Sequence, residues 1–253
     1  MNIETLMTII IPAYNEASRL PETLTRVTAF VRLRPEPLDV IVVNNNSRDE
    51  TREIADRFAQ EHNFLTVLDQ PIQGKGAAVR KGILSATGAY AFICDADLAM
   101  PIEELPRFFP ATVGQPYDIA IGSREAAGAQ RYGEPAYRHM MGRVFNFIVR
   151  MLAVPGIQDT QCGFKAFRRE AGQAIFRVQK IDGFAFDVEV LAIARRWEYQ
   201  IVEIGIPWYY GPGGSVKPIR DSWRMLREVL RIRRNVRAGA YDRSFSASHS
   251  PEA

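Results

Sequence analysis

The 253-residue chain is 47% hydrophobic, 24% charged and 10% aromatic, with 18 Gly and 15 Pro. That composition excludes collagen-like, low-complexity and wholly disordered chains, and the length suits one large α/β domain or two small ones. The net charge of +3 hides an asymmetry: residues 217–243 hold nine basic side chains against three acidic, a local +6 that leaves −3 elsewhere, so this region calls for nucleic acid, an anionic membrane surface or a phosphorylated ligand.

Residues 8–11 read as a buried strand ended by Pro12, 21–32 as a helix with Leu24, Val27 and Val31 at helical spacing, and 40–43 as a second, β-branched strand. A helix over 50–62, a strand over 64–68, a helix over 76–86 entered through glycines and a strand over 90–94 follow. A short helix over 102–109 and a fifth strand over 118–121 complete an alternation that predicts a parallel sheet with crossover helices. After Gly122 the chain is polar to Tyr137, and the spacing of Met141, Val144, Phe145, Ile148 and Leu152 then predicts a helix over 138–153. A segment at 164–167, helices at 169–176 and 187–197 and a strand at 201–206 close the compact part. One domain over 1–238 is expected, ending in a basic amphipathic helix at 219–237, with 239–253 a disordered tail. No run approaches the roughly 18 apolar residues of a membrane span, and the first 13 residues lack a basic start and a long apolar stretch. With only Cys94 and Cys162, too few for a disulfide scaffold or a four-ligand zinc site, a cytoplasmic protein with reduced thiols is expected.

Ligands of an open parallel sheet sit beyond the carboxyl ends of its strands. The polar residues gather there: Pro12 to Glu16 after the first strand, Asn44 to Asp49 after the second, Gln73 to Gly76 after the third, and Asp95-Ala96-Asp97 after the fourth. Any one of these is as readily a cap or turn; Ser47 and Asp49 suit a helix start, and an isolated Asp-x-Asp is more often an Asx-turn, here leading to Pro101. Four coinciding strand ends reverse that preference. In an extended segment residues two apart share a side, so Asp95 and Asp97 could hold one hard divalent cation together with a diphosphate. Gly74-Lys75-Gly76 lacks the spacing of a P-loop and no GxGxxG follows the first strand, which disfavours kinase and dehydrogenase nucleotide sites. His62, His139 and His249 are too scattered for a metal cluster.

In order, IIIPAYNE, VVNNNSRDET, GKGAAVRKGI, ICDAD and IGSR resemble the family 2 glycosyltransferases, and DTQCGFKAF, FAFDVEVL and GGSVKP resemble their dolichyl-phosphate β-glucosyltransferase branch and its prokaryotic relatives. The resemblance spans residues 8–237 and implies a GT-A fold with inverting transfer of a hexose, most simply from UDP-glucose, to a polyprenyl phosphate, with Mg²⁺ or Mn²⁺ on Asp95 and Asp97. It places Pro12, Tyr14 and Glu16 at the nucleoside, Asn44, Asn45 and Lys75 at base and ribose, and Asp95 and Asp97 at ribose, metal and diphosphate. Arg124 and Lys217 would meet anionic oxygens, Asp159, Gln161 and Lys165 would shape the acceptor side, and Asp187 and Glu189 would organise its wall. Asp187 and Glu189 are equally the acids that suit any helix start.

Three departures stand out. Asn44-Asn45-Asn46 replaces the family's Asp-Asp-Gly, which changes the donors and acceptors offered to a base and puts Asn46 where φ is positive. The lysine of the Gly-Ser-Lys segment is displaced to Lys217, and no counterpart of the membrane anchor of the eukaryotic enzymes is expected. A phosphate acceptor is already anionic near neutral pH and needs no general base, whereas a hydroxyl acceptor needs a carboxylate, for which Asp159 and Asp187 are the candidates. The basic helix suits an anionic membrane surface, giving an expected place at the inner face of the membrane. A helix packed on the domain with a solvated arginine face remains the alternative; the 138–153 helix is a second interfacial candidate, although core packing explains its stripe equally well. GDP-mannose or a soluble hydroxyl acceptor on the same fold, and a low-turnover sugar-nucleotide binder, are the competing functions. A nucleic-acid module would rest on the arginines alone and leave the strand ends unexplained, so no nucleic-acid partner is expected.

Overall fold

Met7, Ile9, Ile10 and Ile11 are wholly buried, because the first strand, β1 (Met7–Ala13), lies inside the sheet with both faces covered. The computed structural model describes residues 5–211 and 218–243. β1 pairs in parallel with β2 (Leu38–Asn44) on one side and β4 (Tyr90–Ile93) on the other, and β3 (Leu65–Asp69) lies outside β2. The crossovers are α1 (Leu20–Leu33), α2 (Thr51–Glu61) and α3 (Lys75–Ser85). α1 begins at a proline and buries Leu20, Leu24, Val27 and Val31, the stripe that its spacing predicts.

A 3₁₀ helix (Ile102–Phe108) and a single turn, α4 (Pro110–Val113), lead to β5 (Ile119–Ser123). There follow β6 (Gln130–Tyr132), α5 (Ala136–Leu152), β7 (Lys165–Arg168), α6 (Arg169–Val178), α7 (Phe186–Arg196), β8 (Ile201–Gly205), β9 (Pro207–Tyr209) and α8 (Pro218–Arg237). The main sheet runs β3-β2-β1-β4-β7-β5-β8. All its pairings are parallel except those of β7, which is antiparallel to β4 and β5 and sets Lys165 opposite Ile93 and Ile121. β6 and β9 form a separate ribbon. The order reverses between β1 and β4, and at that point a doubly wound sheet opens a crevice.

The α/β arrangement expected from the sequence is present. Its departures are the reversed β7, the three-residue strands of the ribbon and α4, all too short to carry a period. Residues 239–243, expected in a disordered tail, pack on the domain, where Tyr241 is 1% exposed and donates to Glu189; the rest of the expected tail, 244–253, lies outside the described residues. Among the described residues no helix is long and apolar enough to cross a membrane.

Candidate functional site

The loops after β1 and β2 are laced together. Ser47 Oγ accepts from the Asn15 amide (3.1 Å), Thr51 Oγ1 from Glu16 (2.8 Å) and Asp49 from Ala17 (3.1 Å), while Asn15 Oδ1 accepts from Arg48 (2.9 Å). Ser47 and Asp49 thus tie two loops rather than simply starting a helix. Asn46 has φ +58°, as its substitution for glycine predicts. Pro12 does not end the strand as expected but pairs within it opposite Val43, so β1 runs on to Ala13, and Tyr14 stands exposed just beyond it. Glu16 is held by Arg19 through two bonds of 2.7 Å.

Asn44 and Asn45 sit differently from the expected contact with base and ribose. Both are buried. Asn45 donates to Gln70 and Ile72 carbonyls (3.2 and 2.7 Å) and accepts from Gly74 N–H (2.7 Å), so its amide hydrogens are committed to the loop before α3. Asn44 donates to Asp69 (2.9 Å) and accepts from Ser47 N–H (3.3 Å). Asp69, whose carboxylate Arg52 holds below its ordinary pKa, was absent from the sequence reading. A carboxylate in place of Asn44 would face it as a like charge, a physical reason for the amide. Gly74 has φ +148° and lies so close to the Asp182 carbonyl that no side chain fits.

Asp95 and Asp97 are not the extended pair that period-two geometry suggests. Leu98 N–H donates to Asp95 C=O (3.1 Å), closing a turn, and Ala99 N–H donates to Asp97 Oδ1 (3.1 Å), the Asx-turn that an isolated Asp-x-Asp more often forms. Both remain at the switch point. Lys75 Nζ lies 2.6 Å from Asp95 Oδ1, and Gly163 presses on the same carboxylate so closely that a Cβ would collide with it. Burial opposes the Lys75 charge, but Asp95 first, then Asp187 and Asp97, hold its pKa well above normal. Desolvation, then the charge of Asp95, raises the Asp97 carboxyl. Among the described residues no group of three or more His, Cys, Asp or Glu side chains could hold a metal ion. Two hard carboxylates fit a cation that completes its shell with substrate phosphate oxygens and water, as Mg²⁺ and Mn²⁺ do.

On the other side of the crevice Arg124 grips Asp159 through its backbone N–H (3.0 Å), Nε (2.7 Å) and Nη2 (2.9 Å). Burial alone would raise the Asp159 carboxyl, but Arg124 takes its pKa down to about 2. The Arg124 guanidinium also lies 5.5 Å from the Trp208 ring centre, a contact that no spacing in the sequence announces. Glu203 accepts from the Gln158 and Asp159 amides (2.8 and 3.0 Å), fixing this loop to β8. Gln161 reaches Met225 on α8, at 3.8 Å.

Three expected acceptor-side residues are interior. Lys165 is wholly buried, donating to the Cys162 carbonyl and to Asp187 Oδ1 at 2.5 Å. Burial raises the Asp187 carboxyl, with Lys165 opposing it. Glu189, 0% exposed, accepts from the Lys180 and Ile181 amides (2.9 and 2.8 Å) and from Tyr241 O–H (2.6 Å), so it anchors the C-terminal segment and not the acceptor. Cys94 and Cys162 are buried free thiols, and burial pushes Cys162 up to about 12. Lys217 and the GGSVK segment lie outside the described residues.

Comparison with known proteins agrees with this architecture. The family described as Glycosyl transferase family 2 matches residues 8–176. The chain is 34% identical over 249 residues to dolichyl-phosphate beta-glucosyltransferase ALG5C of Trichomonas vaginalis, covering 94% of this chain and 74% of the relative. It is 32% identical over 251 residues to the Homo sapiens dolichyl-phosphate beta-glucosyltransferase, covering 93% and 77%. Among solved structures, glucosyl-3-phosphoglycerate synthase from Mycobacterium tuberculosis with Mn²⁺ and UDP-glucose superposes with TM-score 0.65 at 16% identity, covering 90% of this chain and 79% of that one. The same synthase with Mn²⁺, UDP and glucosyl-3-phosphoglycerate gives 0.67 at 15%, covering 93% and 80%. At such identity the likeness is one of fold.

Proposed function

The chain belongs to glycosyl transferase family 2, and from that premise we propose that it transfers glucose from UDP-glucose, with inversion, to a polyprenyl phosphate presented at the inner face of the membrane. The single observation that carries the choice of acceptor is the state of its two candidate bases. Asp159 is bound three times by Arg124, and Asp187 is buried against Lys165. Neither is free to take a proton from a hydroxyl, whereas a phosphate monoester brings its own negative oxygen. The relatives named for dolichyl phosphate support the same acceptor.

In this reading Asp95 and Asp97 would hold Mg²⁺ or Mn²⁺, which when bound would supply charge neutralisation for the departing diphosphate. Lys75 holds Asp95 in place through their 2.6 Å ion pair, and Gly163 lets the returning chain close over it. Pro12, Tyr14 and the Arg19-braced Glu16 form the nucleoside side. Arg124, set by Asp159 and Trp208, presents a fixed positive charge on the acceptor side, where alignment of the attacking oxygen opposite the leaving group is the main requirement.

The test is an assay of the purified chain with UDP-glucose or GDP-mannose, either metal, and detergent-dispersed polyprenyl phosphate, with Asp97→Ala in parallel. Metal-dependent glucosyl phospholipid that disappears in Asp97→Ala is expected. Donor binding without lipid product, or product only from GDP-mannose, overturns the acceptor or the donor assignment respectively.

A further inference from the structure

α5 (Ala136–Leu152) is apolar on two sides, and the domain covers only one. Val149 is buried and Phe145 and Leu152 lean on the core, while Asn146 Oδ1 accepts from Thr160 Oγ1 (2.8 Å) and pins the helix to the Asp159 loop. The opposite side leaves Tyr137, Met140, Met141, Val144, Phe147 and Met151 in solvent, at 71, 63, 48, 55, 61 and 68% exposure. Their spacing of three and four residues makes one continuous stripe along the helix. An apolar patch of this kind marks an interaction surface rather than scattered surface residues.

The charges around the stripe identify what covers it. α5 contains Arg138, Arg143 and Arg150 and no Asp or Glu. α8, packed beside it, exposes Arg224, Arg227, Arg231 and Arg234 in a row at the same spacing, with Leu230 half-exposed between them. At the helix start the ribbon adds Tyr132 and Tyr209, partly exposed and stacked at 4.6 Å, and Arg138 lies over the Tyr210 ring at 5.0 Å. An apolar stripe with cationic flanks and a tyrosine rim complements an anionic bilayer, whose acyl region takes the stripe and whose headgroups take the arginines. A second copy of the chain would set α5 arginines against one another with no acid on that helix to pair them.

We infer that the outer face of α5, continued by the arginine row of α8, is a docking surface for an anionic lipid bilayer. It deepens the polyprenyl-phosphate reading and rests on it in one respect: the pinned Asp159 loop then opens beside the bilayer surface, so a lipid-borne phosphate reaches Arg124 without leaving its membrane.

Flotation of the full chain with phosphatidylcholine vesicles, with and without phosphatidylglycerol, tests it. Binding to the anionic vesicles that weakens with salt is expected. Phe147→Glu should lose at least about tenfold in partition. Arg227→Gln with Arg231→Gln should lose roughly 30-fold on anionic vesicles only. Both variants should keep the wild-type melting temperature and their turnover of a water-soluble short-chain polyprenyl phosphate. Absence of flotation, equal flotation of all three proteins, or a dimer that Phe147→Glu splits while vesicle binding persists, overturns the inference. Turnover of the short-chain acceptor without flotation sinks the docking surface and leaves the function standing, and flotation without any turnover does the reverse.

Discussion

Asp159 carries the clearest electrostatic consequence at the level of single residues. Its pKa of about 2 in the folded chain lies below the unfolded value of about 3.9. A carboxyl with a depressed folded pKa contributes stability that is complete above the unfolded value and is lost as pH falls through the folded one. Asp159→Asn should therefore cost on the order of 2 kcal/mol at neutral pH and flatten the acid-denaturation curve between about pH 4 and pH 2, read by circular dichroism. An unchanged acid limb would mean that the Arg124 pairing does not persist in solution. Gly163 makes a different demand, since any Cβ there meets the Asp95 carboxylate. Gly163→Ala should lower kcat/KM by roughly 100-fold through displaced geometry while the melting temperature moves little. Equal losses of stability and activity would instead reveal a general packing role.

Among the elements, α7 shows how two acids of one motif part company. Asp187 and Glu189 are two residues apart on a helix, hence on nearly opposite sides, and they reach Lys165 and Tyr241 respectively. Tyr241→Phe should remove the bond to Glu189, costing about 1–2 kcal/mol and lowering the melting temperature by about 4 °C without altering KM for donor or acceptor. β1, β2, β4 and β5 were legible because each has a buried apolar run near a glycine or proline, while the edge strand β3, with only Leu65 buried, showed itself by its aliphatic residues before Pro71. β6 and β9, at three residues each, carry no period to read. The parity of β7 was equally hidden: four residues cannot say that Lys165 points inward, and the decisive partner, Asp187, lies 22 positions away. The structure brings the strand-end motifs together at one edge of the sheet, as their placement predicts, but the commitment of Asn45 to residues 70–74 is a tertiary fact. Asp69 had a signal that went unused, an acid at the end of a strand beside the substituted Asn44.

For the whole molecule, a ligand that binds only the folded chain stabilises it by mass action. UDP-glucose with Mn²⁺ at about 100 times its dissociation constant should add about 2.7 kcal/mol, and EDTA should abolish that shift. A shift that survives EDTA would remove the metal from donor binding. The two cysteines report the same cooperativity from inside: buried in the core, with Cys162 raised to about 12, they should label with a thiol reagent only as fast as the domain opens. The place of β7 in the sheet has a consequence for how the chain is made. β4 pairs on that flank with Arg168 to Lys165, and β5 with Phe167 to Lys165, so during vectorial synthesis both strands leave the ribosome with an open hydrogen-bonding edge. At about 5–20 residues per second the gap from β4 to the end of β7 lasts on the order of ten seconds. For that interval the β3-β2-β1-β4 half-sheet carries an unsatisfied rim and β5 stands without a partner, since β8 has not yet been made, both exposed to the edge-to-edge pairing that folded proteins avoid, and the arrival of one four-residue strand joins them.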